Sequence, residues 1–133
     1  KLDFESVALA VSMLGSGGVS VMEEGTDIVW AALRLMEFFY HESCGKCSPC
    51  REGSSWLVQI MRRIVNKRGR MEDLETLTDL CKNIAGRTVC AFGDAEVSPI
   101  LSTLKHWRHE YVTMIHAAEA ANLIRPEPAG AKH

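Results

Sequence analysis

The chain has 133 residues, which is the size of one ordinary domain and is enough to bury a hydrophobic core. Its composition, 47% apolar and 24% charged, is that of a globular protein and excludes an intrinsically disordered one. With 15 basic and 17 acidic residues the net charge is −2, so overall charge gives no reason to expect nucleic acid as a partner. No signal peptide pattern is visible, and the longest apolar run, residues 28–40, is interrupted by charges and too short to span a bilayer. We therefore expect a soluble chain without direct membrane insertion.

Residues 1–25 differ in pattern from the rest of the chain. Residues 3–14 predict a helix, with apolar residues recurring on one face as far as Val11 and Leu14. After the glycines of "GSGG", residues 19–23 ("VSVME") alternate like a short strand. One helix and one strand cannot form a stable sheet alone, so we interpret this segment as the end of a preceding domain. The start at Lys rather than Met agrees with a piece of a longer or processed polypeptide.

Residues 26–120 have a helical pattern throughout and predict a mainly α domain, a four-helix bundle. The predicted helices run from a cap at Thr26 or Asp27 to about Tyr40, from Ser48 as N-cap to about Asn66, from Met71 to Ile84, and from a second Ser–Pro pair, Ser98–Pro99, onward. The first is apolar on nearly every side and is therefore expected to be buried. The core stripes of the second and last helices are expected to include Trp56 and Trp107. Residues 121–133 are rich in Pro and Gly and predict a flexible tail.

Three cysteines, Cys44, Cys47 and Cys50, lie at two-residue intervals in "HESCGKCSPCREG". This spacing is compatible with a redox dithiol, a zinc site or an iron–sulfur cluster. A redox dithiol is disfavoured because it expects two cysteines in a βαβ setting. Zinc usually takes two separated ligand pairs, although a histidine could complete such a site. The candidates for that histidine are His41, His106 and His109.

A [4Fe–4S] cluster suits the spacing better, because each thiolate binds a different iron and ferredoxins use the same C-x2-C-x2-C start. The fourth ligand must then come from far along the chain. Cys81 shares a helix face with apolar residues and is expected in the core. Cys90 lies between Gly86 and Gly93 in a predicted loop, residues 85–96, just before the last helix, which predicts Cys90 as the fourth ligand.

The residues around the motif are expected to support a negatively charged cluster. Gly45 and Gly53 would let backbone N–H groups turn toward the sulfurs, while Lys46 and Arg51 would add positive charge. The alternative for the two basic residues is an ordinary solvated surface. We find no nucleophile–base pair or paired carboxylates, so no catalytic residue is predicted. The basic cluster that includes Arg62 has no interleaved aromatic residues, which disfavours nucleic acid binding.

Four stretches together resemble the NADH-oxidising flavoprotein of bacterial respiratory complex I, also called its 51 kDa subunit. They are "VSMLGSGGVSVME", "HESCGKCSPCREG", "TVCAFGDAEVSPI" and "HWRHEY". The resemblance covers the chain apart from its tail, but only the C-terminal part of the family's polypeptide. It implies that Cys44, Cys47, Cys50 and Cys90 ligate a [4Fe–4S] cluster in a helical bundle. It also implies that residues 1–25 complete a β-grasp (SLBB-type) domain.

The resemblance further implies a function in electron transfer. In this family FMN takes a hydride from NADH, and the cluster accepts electrons singly and passes them along further iron–sulfur subunits toward quinone. The FMN and NADH sites of the family lie on an N-terminal domain, so we expect this chain alone not to oxidise NADH. The implied partners are that domain and the other iron–sulfur subunits of the peripheral arm. The implied location is cytoplasmic, on the inner face of the bacterial membrane.

Two alternatives remain open. Similar domains occur in the diaphorase subunits of NAD-linked hydrogenases and formate dehydrogenases, which would change the final electron acceptor. An alternative of another class is a structural zinc module that mediates protein interaction.

Overall fold

The structure, a computed structural model, describes residues 3–10, 12, 14–15 and 17–121, and this part of the chain is mainly helical. The helices are α1 (Phe4–Leu9), α2 (Ile28–Glu42), α3 (Ser48–Val65), α4 (Met71–Ile84), α5 (Phe92–His106) and α6 (Arg108–Ala120). The described residues contain no β-strand. The mainly α fold is therefore confirmed.

Four of the helices close into a ring. Helix α2 packs against α3 and α5, and α4 packs against the same two helices from the other side. Helix α6 lies against α3, α5 and α2. The core between them is built from α2 to α6, and its fully buried side chains include Met36, Leu57, Met61, Leu74, Leu77, Ile100, Tyr111 and Ile115. These helices form the expected bundle, and α6 packs against it as an additional helix.

The start of α2 is fixed from two directions. The Asp27 side chain accepts a hydrogen bond from Trp30 N–H at 2.8 Å, which is the predicted N-cap. The carboxylate of Glu110 on α6 accepts a hydrogen bond from Ile28 N–H at 3.3 Å. The first turn of α2 leaves N–H groups without helical partners, and these two carboxylates satisfy two of them.

Helix α3 begins one residue earlier than predicted. Cys47, not Ser48, occupies the N-cap position, and Pro49 lies in the first turn. Proline is tolerated there because the first N–H groups of a helix have no intrahelical acceptor. Cys50 therefore belongs to the first turn of α3.

The prediction that the last helix begins at Ser98–Pro99 is wrong. Helix α5 begins at Phe92, and Pro99 lies inside it. The helix breaks at Trp107, and α6 follows at once. Two tertiary contacts explain the earlier start: the Phe92 ring packs edge-on against Phe39 of α2, and Asp94 accepts a hydrogen bond from Gly86 N–H at 2.7 Å. Local Ser–Pro chemistry therefore did not decide where this helix starts.

A side-chain hydrogen bond spans the break between α5 and α6. The hydroxyls of Thr103 and Tyr111 lie 2.8 Å apart, and Tyr111 is fully buried. Burial raises the pKa of Tyr111 to about 12. The bond satisfies a buried hydroxyl that would otherwise cost stability, and it holds α6 against the bundle.

The expectation that α2 is buried on nearly every side is wrong. Trp30, Phe38 and Tyr40 are about half exposed, while the buried residues form one face. Trp56 and Trp107, which the pattern placed on core stripes, are also exposed at 51% and 39%. Each helix of a small bundle has one face toward the core, so an all-apolar helix still presents apolar side chains outward.

The predicted strand at residues 19–23 is not present. The segment adopts no regular structure, because no described residue offers it a partner strand for its backbone groups. Helix α1 ends at Leu9, so the predicted continuation to Leu14 is also wrong. Val11 and residues 122–133 of the predicted tail lie outside the described residues.

Replacing Gly69 by Ala should destabilise the bundle. A Cβ on Gly69 would lie 2.9 Å from the backbone Cα of Ile64 and 2.7 Å from its Cγ1, which requires the α3–α4 turn to shift. We expect a loss of about 1–3 kcal/mol in the free energy of unfolding, typical of overpacking. The matched control is Gly18→Ala, where an added Cβ meets nothing within 4 Å. Denaturant unfolding measures both, and equal stability of the two variants would contradict the predicted crowding.

Candidate metal centre

Two interhelical loops meet at one end of the bundle. Residues 43–47 join α2 to α3, and residues 85–91 join α4 to α5. The backbone N–H of Val89 in the second loop is 3.5 Å from the Sγ of Cys47 in the first. The ring order of the helices produces this meeting, because α3 and α4 take the chain away from this end and back again.

Four cysteines border one cavity between these loops. The cavity has a volume of about 170 Å³. Its lining consists of Glu42, Cys44, Lys46, Cys47, Cys50, Thr88, Cys90, Phe92 and Gly93. The structure thus brings together all four cysteines that the sequence selected, although Cys90 lies 40 positions after Cys50 in the chain.

The fifth cysteine lies elsewhere. Cys81 is fully buried among the apolar residues of the core. Burial raises the pKa of its thiol to about 12. A thiol held in its neutral form behaves as a small core side chain, which is the role predicted for Cys81.

The four cavity cysteines differ in their exposure to solvent. Cys44 and Cys90 are exposed, Cys47 is intermediate and Cys50 is buried. Burial raises the pKa of the Cys50 thiol, and a hydrogen bond with Ser43 acts in the opposite direction. A metal ligand must be a thiolate, so Cys50 depends most on donors in the protein.

Ser43 is a site residue that the sequence reasoning missed. Its Oγ lies 3.3 Å from Cys50 Sγ and accepts a hydrogen bond from Gly45 N–H, also at 3.3 Å. Ser43 is the C-cap of α2, and its own N–H donates to Phe39 O. Its position directly before Cys44 was the available signal, but serine is common in loops and the spacing of the cysteines does not require it.

Glu96 was also missed. This residue of α5 is fully buried, and its Oε2 accepts a hydrogen bond from the Cys50 thiol at 3.3 Å. Its Oε1 has no hydrogen-bond partner among the described residues. Burial raises the pKa of Glu96 to about 7. The sequence signal was a carboxylate four residues before the apolar Ile100, which was overlooked because residues 85–96 were predicted to form a loop.

The predicted supporting residues have different roles. Gly45 has a φ of +74°, which favours glycine, and its carbonyl accepts a 2.9 Å hydrogen bond from the Arg51 guanidinium. The Arg51 side chain therefore fixes the turn between Cys44 and Cys47. Lys46 lines the cavity. The expectation for Gly53 is wrong: it lies inside α3 and is buried against Ile84 of α4, away from the loop.

The approach of the second loop requires Gly93. A Cβ on Gly93 would collide with the Thr88 side chain. The hydroxyl of Thr88 in turn donates a 2.8 Å hydrogen bond to the Cys90 carbonyl. The loop that carries Cys90 is therefore shaped by its own side chain against the first turn of α5.

The donor set fits an iron–sulfur cluster. Four cysteines line a shared cavity, as ligation by four thiolates requires, and a backbone N–H approaches the sulfur of one of them. No histidine is among the residues that line it. In the described ranges, no three or more His, Cys, Asp or Glu side chains converge closely enough to hold a single metal ion.

The structure also bears on membrane insertion. None of the helices in the described part of the chain is long and apolar enough to cross a bilayer.

Comparison with curated proteins finds close relatives among the F subunits of bacterial NADH-quinone oxidoreductases. The chain is 51% identical over 114 residues to F subunit 2 of Rhizobium meliloti, covering 86% of this chain and 27% of the relative. It is 51% identical to the F subunit of Streptomyces coelicolor over 83% of this chain and 24% of the relative, and 46% identical to that of Mycobacterium tuberculosis over 86% and 26%. The chain thus spans about a quarter of the length of these relatives.

A solved structure has the same fold. An NAD+-reducing [NiFe]-hydrogenase in its H2-reduced state superposes with a TM-score of 0.64 at 26% identity, over 76% of this chain and 16% of that one.

One family description matches most of the bundle. It is the NADH-ubiquinone oxidoreductase-F iron-sulfur binding region, a 4Fe–4S family, and it matches residues 30–114. The matched range contains both loops and all four cavity cysteines, so the expected [4Fe–4S] cofactor is confirmed. The chain therefore belongs to the family of the NADH-ubiquinone oxidoreductase-F iron–sulfur binding region.

Proposed function

We propose that the chain is the electron-transfer domain of an NADH-oxidising flavoprotein subunit of respiratory complex I. The observation that carries the proposal is the single cavity bordered by Cys44, Cys47, Cys50 and Cys90 in a member of this family. When bound, a [4Fe–4S] cluster supplies reversible one-electron transfer.

We assign these four cysteines as the cluster ligands. Three of them come from the α2–α3 loop and the first turn of α3, and Cys90 comes from the loop that faces it. Four thiolates contribute negative charge, which the N-terminal N–H groups of α3 and the positive charge of Lys46 at the rim offset.

The surrounding residues exclude water from one side of the cavity. Phe92 lines it and packs against Phe39, and Cys50 is buried beneath. On the other side Cys44 and Cys90 are exposed. This asymmetry suits a relay: the buried side reduces solvent reorganisation, and the exposed side gives electron donors and acceptors a short approach.

The proposal has three wider parts, which rest on the resemblance to complex I. We propose that reduced FMN in the parent subunit donates electrons and that other peripheral-arm iron–sulfur subunits accept them toward quinone. We also propose that the complex lies on the cytoplasmic face of the bacterial membrane. We further assign residues 1–25 to the end of a β-grasp domain, residues 26–120 to the cluster domain and residues 121–133 to a tail.

One observation favours a second candidate. The structural similarity to an NAD+-reducing hydrogenase supports a diaphorase-type subunit, in which the same domain would pass electrons to another acceptor. Its 26% identity is well below the 51% found for the NADH-quinone oxidoreductase relatives, so we favour the complex I assignment.

Metal and sulfide analysis tests the cofactor directly. The 133-residue chain, purified without oxygen, should contain about four iron atoms and four acid-labile sulfides. Its broad visible absorption should bleach with dithionite. One zinc per chain without sulfide would contradict the proposal and favour the structural zinc module.

A pair of cysteine substitutions tests the ligands. Cys90→Ser should lose or strongly weaken the cluster, because it removes a thiolate from the cavity wall. Cys81→Ser is the matched control: it should keep the cluster but lower the free energy of unfolding by about 1–3 kcal/mol, since a hydroxyl replaces a buried thiol in an apolar site. The opposite result, with iron lost only from Cys81→Ser, would overturn the assignment.

The chain alone should not oxidise NADH. The loaded protein should show no reduction of ferricyanide by NADH, because flavin and nicotinamide sites are assigned to the parent subunit outside this chain. Dithionite reduction of the same sample is the positive control for a functional cluster. Flavin-independent turnover with NADH would contradict the division of roles.

A further inference from the structure

We propose that the Ser43 hydroxyl donates a hydrogen bond to the cluster-ligating sulfur of Cys50 and thereby raises the reduction potential of the cluster. The inference rests on the proposed function, because it requires Cys50 to be a ligand. It assigns Ser43 as a residue that tunes electron transfer without binding iron itself.

The hydroxyl is held in place from both sides. Ser43 ends α2, where its N–H donates to Phe39 O at 3.0 Å, so its backbone is fixed by the helix. Its Oγ lies 3.3 Å from Cys50 Sγ. The N–H of Gly45 approaches the same Oγ at 3.3 Å. The three groups form a chain from the Gly45 amide through the hydroxyl to the sulfur.

The direction of this chain follows from the chemistry of ligation. Between a hydroxyl and a neutral thiol either atom can donate. A thiolate ligand has no proton and can only accept, so the hydroxyl must donate once Cys50 binds iron. The Gly45 N–H already occupies a lone pair of the Ser43 oxygen, which leaves the hydroxyl proton free to point at the sulfur.

The position of Cys50 makes this hydrogen bond important. Cys50 is the buried member of the four cavity cysteines, so water cannot supply an equivalent donor as readily as at Cys44 or Cys90. Within the described residues, the side chains that hydrogen-bond to Cys50 Sγ are Ser43 and the buried Glu96. Ser43 is the neutral hydroxyl donor of the two.

A donor to a ligand sulfur stabilises the reduced cluster more than the oxidised one. Reduction adds one electron, which makes the sulfurs stronger acceptors, and hydrogen bonds to the sulfurs are among the factors that set cluster potentials. Low local polarity strengthens the effect. We expect loss of the hydroxyl to lower the ratio of reduced to oxidised cluster about tenfold at a fixed ambient potential. For a one-electron couple this corresponds to a fall of about 59 mV in the reduction potential of the cluster.

The experiment compares potentials of fully loaded proteins. Ser43→Ala, Ser43→Val and Ser43→Thr are prepared in the 133-residue chain, and iron and sulfide are measured first. The potential of each is then determined by redox titration monitored by electron paramagnetic resonance at one pH. Ser43→Ala and Ser43→Val should have lower potentials than the parent chain. Ser43→Thr, which keeps the hydroxyl, should stay close to it.

The matched control is Ser48→Ala. Ser48 lies in the same motif, is exposed, and makes no hydrogen bond to a cysteine sulfur in the described structure. The reduction potential of the cluster in Ser48→Ala should therefore not change. An unchanged potential in loaded Ser43→Ala, or an equal fall in Ser43→Thr, would overturn the tuning role. Iron lost from the Ala and Val variants alone would make the hydroxyl an assembly requirement and would also overturn it. Absence of a cluster from the parent chain would instead refute the proposed function.

Discussion

The site depends on the meeting of two loops at the same end of the helical ring. Cysteines in one short segment can hold three corners of a cluster, but the fourth corner must come from a segment that the fold brings back. Helices α3 (Ser48–Val65) and α4 (Met71–Ile84) perform this return, and Gly69 in the turn between them packs tightly against Ile64 of α3 and Ile115 of α6. The packing of the helices around the apolar core therefore positions the two loops that carry the cysteines.

The polar groups around Cys50 affect the free-energy cost of burying a thiolate ligand. A buried thiolate is unfavourable unless donors stabilise it. The Ser43 hydroxyl, at the end of α2, supplies one donor, whereas Glu96 of α5 accepts from the Cys50 thiol and adds to the effect of burial in raising its pKa. One buried oxygen of Glu96 has no partner in the described residues, which is uncommon in a folded core.

Much of this architecture could be predicted from the sequence. The four cysteines that the sequence selected all border the cavity, apolar periodicity gave α4 to the residue, and the Ser48–Pro49 pair gave the start of α3 to within one residue. These features are local, because a helix face or a ligand spacing is set within a few turns. Exposure was less predictable: Trp30 and Trp56 are apolar yet half exposed, since a sequence pattern does not state which apolar face has a neighbour.

The errors in the prediction coincide with the missed site residues. The Ser98–Pro99 pair is a strong local signal for a helix start, and it led residues 92–96 to be assigned to the end of a loop. In the fold these residues form the first turns of α5, held by the Phe92 ring against Phe39 and by the Asp94 hydrogen bond. Because they are helical, Glu96 points to Cys50 and the Gly93 backbone approaches the Cys90 loop. Long-range contacts thus placed one wall of the cavity in a segment whose local sequence indicated no structure, which is why both the helix start and Glu96 escaped a reading of the sequence.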